Sequence, residues 1–407
     1  MVSLEDRIRE YEGKPSIKQT TRVLTDDDSD DCTDLEPFFF DEAEAIADHA
    51  RRAGREKHKE KIMNALDRIL EYDPKQGRVV FTKIDFVNLM TFDHDQESPL
   101  GPMRDTDASI DIVDDTFSVC KQARKKHLFQ GDDESANALT TGSFDDVSER
   151  LFVPCNSANV LSVKIASSDV GFPIEVYGTV IARDSLDQKC VYLFRRDRDH
   201  SHIILTKDEE LILIGPKRGL ALTDAIYFEI DLKIKGDDGQ RKNDKQLSKG
   251  YLTLNGVSRH FQDEMEVESY PLDSMLSKVV VTCAVEKRAV EATVAIEVVK
   301  GKFCGEITAC TTNIRDSLVL HDSRLMTAEI MTGEGVVPLL RRVVAVGLKE
   351  KLVVTIARAG VCKAERKHTI SKFTPRVNGG DEKERVCGSL EMRVRVTWSI
   401  ISRVYLY

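Results

Sequence analysis

The stretch Glu391-Met392-Arg393-Val394-Arg395-Val396-Thr397-Trp398 alternates polar and apolar side chains without a break. Successive side chains of an extended chain point to opposite faces, so Met392, Val394, Val396 and Trp398 share one face while Glu391, Arg393, Arg395 and Thr397 share the other. That is the pattern of a half-buried antiparallel strand.

Working outward, the same alternation recurs in Leu161, Val163 and Ile165, again in Ile174, Val176, Gly178 and Val180, and again in Cys190, Tyr192 and Phe194. Turn-prone residues bound each run. Further strands are expected at Glu210 to Ile214, Ile226 to Ile234, Tyr251 to Leu254, Val279 to Val285, Ala289 to Val299, Phe303 to Cys310, Val343 to Val346 and Lys351 to Ala357. Many short strands with few helical stretches between them predict a mainly β fold, an antiparallel β-sandwich-like body rather than a βαβ arrangement.

Residues before this body read differently. Thr25 to Glu36 packs Asp26, Asp27, Asp28, Asp30, Asp31, Asp34 and Glu36 without one basic residue, and such a run repels itself and stays extended. A helical pattern follows from Asp41 to Tyr72, with Ala43, Ile46, Ala47 and Ala50 on one stripe and Ile62, Leu66, Ile69 and Leu70 on another. At about 100° per residue, Ile46 and Ile62 point roughly 160° apart, so a break at Gly54 is expected if both stripes face one surface. Pro74 stops the pattern. From Asp105 to Arg150 no period is sustained, as in a linker or a partly ordered insertion.

The chain has 407 residues, 41% hydrophobic and 31% charged, with a formal net charge of -10. That supplies a sizeable core and leaves no apolar run long enough for a membrane helix. Met1 to Lys14 carries charges where a signal peptide needs an apolar core, so the expected location is cytoplasmic or nuclear. Nine cysteines spread from Cys32 to Cys387 without a C-x-x-C pair predict reduced thiols rather than a disulfide framework or a zinc ribbon.

Four strings taken together, Ser98 to Arg104 (SPLGPMR), Tyr177 to Asp199 (YGTVIARDSLDQKCVYLFRRDRD), Leu211 to Gly236 (LILIGPKRGLALTDAIYFEIDLKIKG) and Leu247 to Gly256 (LSKGYLTLNG), resemble an uncharacterised plant domain family. That family is abundant in grasses and occurs alone or fused to ribosome-inactivating rRNA N-glycosylase domains. The resemblance covers about Glu97 to Trp398, with a poor match from Asp105 to Asn156, and implies a fold and a lineage but no catalytic residues. The organisation expected from all of this is a disordered acidic tail at 1–40, a helical segment at 41–73, a partly ordered connector at 74–156 that carries SPLGPMR, and a β-sandwich-like body at 157–407. Whether that body is one domain or two is left open.

Because such relatives carry an N-glycosylase, its helical Glu-Ala-x-Arg pattern is the first chemistry to test. The Glu-Ala pairs at Glu42, Glu44 and Glu291 have Ala45, Ala47 and Val294 where arginine would stand, and the lone Glu-x-x-Arg, Glu382 with Arg385, sits in a polar Gly-Gly segment expected to be a solvated turn. Gly13-Lys14 and Gly301-Lys302 are followed by Pro15 and Phe303, so no phosphate-binding loop is spelled out, and no Gly-x-Ser-x-Gly occurs.

Asp197, Asp199, His200 and His202 place metal-ligand types close together, and Asp237, Asp238 and Asp244 gather carboxylates for calcium. A solvated loop is the preferred reading of both. No cofactor is expected. The basic clusters Arg51, Arg52, Arg55, Lys57, Lys59, Lys61 and Lys121, Arg124, Lys125, Lys126 have no interleaved aromatics, and Glu56 and Glu60 dilute the first, which disfavours nucleic acid against a solvated helix face. Contact of the first cluster with the acidic tail is an equal alternative. The strings Arg183-Asp184, Arg195 to Asp199 and Lys217-Arg218 are expected on exposed strand faces and edges. The leading expectation is a non-catalytic module that binds a protein partner, with an rRNA-directed enzyme and a calcium-assisted membrane-surface binder as alternatives. Nothing fixes the oligomeric state.

Overall fold

The computed structural model describes residues 42–84, 93–98, 154–236, 241–257, 267–325, 335–358, 368–387 and 389–401. The acidic run at 25–36, the stretch 99–153 with Lys121, Arg124, Lys125 and Lys126, and the pair Asp237 and Asp238 lie outside the described residues.

Helix α1 runs Glu42–Leu66 without interruption at Gly54, contrary to the expected break. A break is required only if both stripes are buried, and they are not. Ile46 is 63% exposed and side chains through Lys61 are exposed, whereas Ile62, Ala65 and Leu66 in the last turn and Ile69 just beyond are buried. The helical pattern also stops earlier than expected. Strands β1 (Leu70–Asp73) and β2 (Arg78–Phe81) form an antiparallel hairpin, with Pro74 in its turn. Asp73 Oδ1 fixes that turn by accepting from the backbone N–H of Lys75 at 2.8 Å, and accepts from Met275 N at 3.1 Å as well.

The rest is mainly β, as the alternation predicts, except that the strand expected at Glu210 to Ile214 is reduced to an isolated bridge between Glu210 and Lys164. A first group comprises β3 (Asn156–Ser168), β4 (Ile174–Arg183), β5 (Val191–Arg196), β6 (His202–Ile204), β7 (Leu220–Leu222), β8 (Ala225–Ile234), β9 (Lys245–Asn255), β10 (Val267–Ser274) and β11 (Ser277–Glu286). A second comprises β12 (Ala289–Lys300), β13 (Gly305–Thr311), β14 (Leu318–Asp322), β15 (Gly335–Val336), β16 (Val343–Gly347), β17 (Leu352–Arg358), β18 (His368–Phe373), β19 (Gly379–Cys387) and β20 (Leu390–Ile400). Every pairing between the described strands is antiparallel.

In the first group, sheet β10-β11-β3-β7 faces sheet β5-β4-β8-β9, with β6 extending the edge beside β4, across a core that includes Val163, Val180, Phe194, Phe228 and Val281. In the second, sheet β15-β12-β20-β19, with β16 also on β12, faces β14-β13-β17-β18 across Val294, Ile307, Val354, Phe373 and Trp398. Met392, Val394, Val396 and Trp398 are all at most 2% exposed. Burying each such side chain stabilises the fold by about 1.5–3 kcal/mol before chain entropy is counted.

The two groups join at the β11–β12 turn, where Arg288 takes φ 46°. Cys155, Ala221, Ala289, Ala345 and Ile401 form a separate small buried cluster there. Side chains as short as alanine let β3, β7, β12 and β16 approach closely. Asn159 then bridges β3 to β16 twice, donating from Nδ2 to Ala345 O at 2.8 Å and accepting from Ala345 N at 2.9 Å.

Candidate functional site

The charged strings expected on exposed strand faces divide. Arg195 and Asp199 are exposed as expected, but Arg183, Asp184 and Arg218 are 0%, 2% and 1% exposed, which corrects the expectation for these three. Burial is tolerated because each charge meets an opposite one with further hydrogen bonds. Arg183 donates from Nε to Glu229 Oε1 at 2.9 Å, from Nη2 to Glu229 Oε2 at 3.0 Å, and from Nη1 to Gln188 O at 3.1 Å. Arg218 clasps Asp184 through two N–H groups and donates from Nε to Ser98 Oγ at 2.9 Å. Ser98 in turn donates to Asp187 Oδ2 at 2.8 Å, while Asp184 Oδ2 accepts from Ala221 N at 2.8 Å.

This network fastens the segment 93–98 to the edge of β5, where Glu97 bridges Cys190 in parallel and Arg183 Nη2 reaches His94 O. Burial pulls the His94 pKa down, helped by the Arg183 charge, and pushes the Cys190 thiol up. Three of the four quoted strings therefore meet in one buried ionic clasp. Its chemistry is structural.

The metal candidates do not converge. His200 Nδ1 lies 2.9 Å from Asp197 Oδ1 on an exposed turn, whereas His202 packs against Phe194 at 6.3 Å between ring centroids, its pKa lowered by burial and then by Arg196. Asp244 is taken by Arg198 in a bidentate pair at 2.8 and 3.0 Å, and also accepts from Tyr177 Oη and Gly236 N. Those partners hold its carboxyl well below the usual range, while burial and Asp244 together push Tyr177 up to about 12. Among the described residues no three His, Cys, Asp or Glu side chains are grouped to hold an ion.

Glu382 and Arg385 also part company. They lie on edge strand β19 rather than in a turn, Glu382 pairing with Arg395 at 2.6 Å and Arg385 donating to Ser371 Oγ at 2.9 Å. Strand geometry sends residues three apart to opposite faces, so no helical acid–cation pair forms.

Concavities of two kinds occur among the described residues. A small one of about 80 Å³ is lined by Cys304, Ser323, Arg324 and Arg358. Beside it His321 Nδ1 lies 2.8 Å from Pro338 O and Nε2 3.1 Å from Ser323 Oγ, while Ser323 Oγ accepts from Gly305 N at 3.0 Å. A carbonyl cannot donate, so Nδ1 of His321 carries a proton in this contact. These bonds tie the end of β14 to the start of β13.

The larger concavity is an open groove at one end of the first sandwich, two adjoining lobes of about 490 and 540 Å³ that share Pro173, Ile174, Ile234, Lys235 and Gly236. Edge strand β6 forms one wall with Ile203, and β6 pairs with β4 alone among the described strands. Ile203, Leu205 and Val170 beside it are 54%, 60% and 42% exposed. Lys235, itself paired with Glu175 at 3.3 Å, and Lys245 stand on the rim, and Arg241 and Lys242 are exposed on the neighbouring 3₁₀ turn. Sequence reading took His202 as a metal-ligand candidate and missed Ile203 and Leu205. A three-residue strand is too short to show a period.

A family model described as Domain of unknown function (DUF6598) matches residues 157–396. The chain belongs to that family.

The DUF6598 match runs from β3 into β20 and so takes in both sheet pairs. No curated protein matches the chain. Among solved structures, the tandem C2 domains of Extended-Synaptotagmin 2 align at 9% identity over 67% of this chain and 100% of that chain, with a TM-score of 0.20. Human GIVD cytosolic phospholipase A2, in complex with methyl gamma-linolenyl fluorophosphonate and terbium chloride, aligns at 6% identity over 62% of this chain and 33% of that chain, with a TM-score of 0.19. Scores this low carry no functional argument. No helix among the described residues of this DUF6598 protein is long and apolar enough to cross a membrane.

Proposed function

We propose that this chain is a non-catalytic interaction module whose protein partner lays an extended segment in the groove beside β6. The observation that carries the reading is an edge strand with one ladder partner, bordered by exposed Ile203 and Leu205 and by a groove of about 540 Å³ with lysines on its rim. An added strand would gain main-chain hydrogen bonds from such an edge and place alternate side chains in the groove. The basic rim selects acidic residues flanking the apolar ones. The setting proposed from the resemblance is a stress or defence response inside a plant cell. Asp244 is engaged by Arg198, and no observation favours the calcium-assisted alternative.

The test is peptide display on the full chain, followed by titration of enriched peptides against the wild type and the double variant Ile203→Asp, Leu205→Asp. Enriched peptides are expected to alternate apolar residues within acidic flanks, and to lose about tenfold or more in affinity, on the order of 1.4 kcal/mol, on the variant. Both positions are exposed, so the melting temperature should hold. Equal affinity for both proteins, or depurination of ribosomes by the wild type, would overturn the reading.

A further inference from the structure

We infer that Thr206, in the turn that follows β6, is a phosphorylation site for an acid-directed protein kinase, and that its phosphate turns acidic partners away from the groove. The second half rests on the groove reading above, and the first does not. Thr206 is exposed, as are Lys207, Asp208 and Glu210 after it, and Glu209 is partly exposed. The Thr206 hydroxyl accepts from Asp208 N at 3.3 Å, its carbonyl accepts from Glu209 N at 3.2 Å, and Leu205 N donates to Glu209 Oε2 at 2.9 Å. These bonds close within one surface turn, so drawing the turn out into a kinase cleft breaks local contacts and leaves the core intact.

What selects the enzyme is the string that follows the hydroxyl. Carboxylates stand two, three and four positions after Thr206, at Asp208, Glu209 and Glu210, and among the described residues no other exposed serine or threonine is followed by acids at all three. Kinases choose substrates by charge pattern as well as by the hydroxyl, and a basic substrate cleft complements this string. The phosphoryl donor is a nucleoside triphosphate. Thr206 Oγ1 bonds to the γ-phosphorus as the bond to the diphosphate leaving group breaks, and the hydroxyl proton passes to the kinase's catalytic base. The consequence follows from position. Thr206 adjoins Leu205 and lies about 10 Å beyond Ile203 along an extended chain, beside the wall of the groove. Asp208, Glu209 and Glu210 stand there against Lys207 and Lys164, the latter paired with Asp208 at 3.6 Å, a balance of -1 from three acids and two bases. A phosphate adds about -1.5 to -2, which makes this wall repel an acidic flank lying within the Debye length of about 10 Å.

The experiment incubates the full chain with magnesium ATP and either a purified acid-directed serine/threonine kinase or a base-directed one, and locates phosphate by peptide fragmentation. Thr206 should be modified at least about tenfold faster by the first kinase than by the second, and at least about tenfold more slowly in the triple variant Asp208→Asn, Glu209→Gln, Glu210→Gln. Absence of phosphate from Thr206, or equal rates in these comparisons, overturns the site. Peptides enriched on the unmodified chain are then titrated against the phosphorylated wild type and against Thr206→Val treated in the same way. The phosphorylated wild type should bind about tenfold more weakly at about 50 mM salt and by a smaller factor at about 500 mM, while Thr206→Val keeps its full affinity. Full affinity of the phosphorylated wild type, or an equal loss in Thr206→Val, refutes the regulation. If no peptide binds the unmodified chain, the groove reading fails and the regulation fails with it, while the modification is decided by fragmentation alone.

Discussion

Glu286 closes β11 with its carboxyl fully buried, accepting from Thr311 Oγ1 at 2.6 Å and from Gly347 N at 3.3 Å. Desolvation pushes its pKa up to about 7 against 4.5, outweighing those two bonds. The folded chain therefore holds this proton more tightly than the unfolded chain does. The stability so gained is complete below pH 4.5 and is lost as pH rises through 7, a difference on the order of 3 kcal/mol. Glu286→Gln is expected to match the wild type near pH 4.5 and to exceed it by about that amount at pH 8, read from urea unfolding at the two pH values. An equal difference at both would show that the carboxyl titrates normally. At this scale the sequence was least informative. Nothing beside Arg183 announces its partner Glu229, which stands 46 residues away, and a charged residue within a strand pattern reads as solvent-facing until that partner is in place.

At the scale of elements, α1 keeps Gly54 in an exposed turn with open space where a Cβ would stand. Gly54→Ala should raise stability by up to about 1 kcal/mol, since alanine forfeits less backbone entropy there and meets nothing. Thermal unfolding followed at 222 nm checks this, and a drop in melting temperature would mean that the glycine serves a bend. Long strands with one buried face, such as β3, β8 and β20, were legible because a core face imposes the period of two over many residues. Others were not. Strand β19 (GGDEKERVC) is an edge with charges on both faces, β10 carries Pro271, and β6 and β7 have three residues each, so none writes a one-sided apolar pattern.

Across the β-body, the two cores are locked by groups that neither could satisfy alone. Arg341 donates from Nη1 to Val160 O at 2.6 Å and from Nη2 to Leu161 O at 3.2 Å, burial drawing its pKa down only to about 10, so it remains charged at neutral pH. Asn159 and Ala345 exchange both their bonds. Thermal unfolding of the β-body should therefore appear as one calorimetric transition, and Asn159→Ala should cost about 2 kcal/mol by stranding a buried N–H and C=O of Ala345. A separate, lower transition in the wild type would show that the two sandwiches melt independently. That the chain is mainly β and antiparallel could be read directly from its residues, because one buried face writes alternation into neighbouring positions. The two cores, the burial of Arg183, Asp184 and Arg218, and the pairing of β6 with β4 alone among the described strands emerged only in the folded chain. Those outcomes depend on partners distant in the chain, where the cost of desolvating a charge or a backbone amide is offset only once the fold has brought them together.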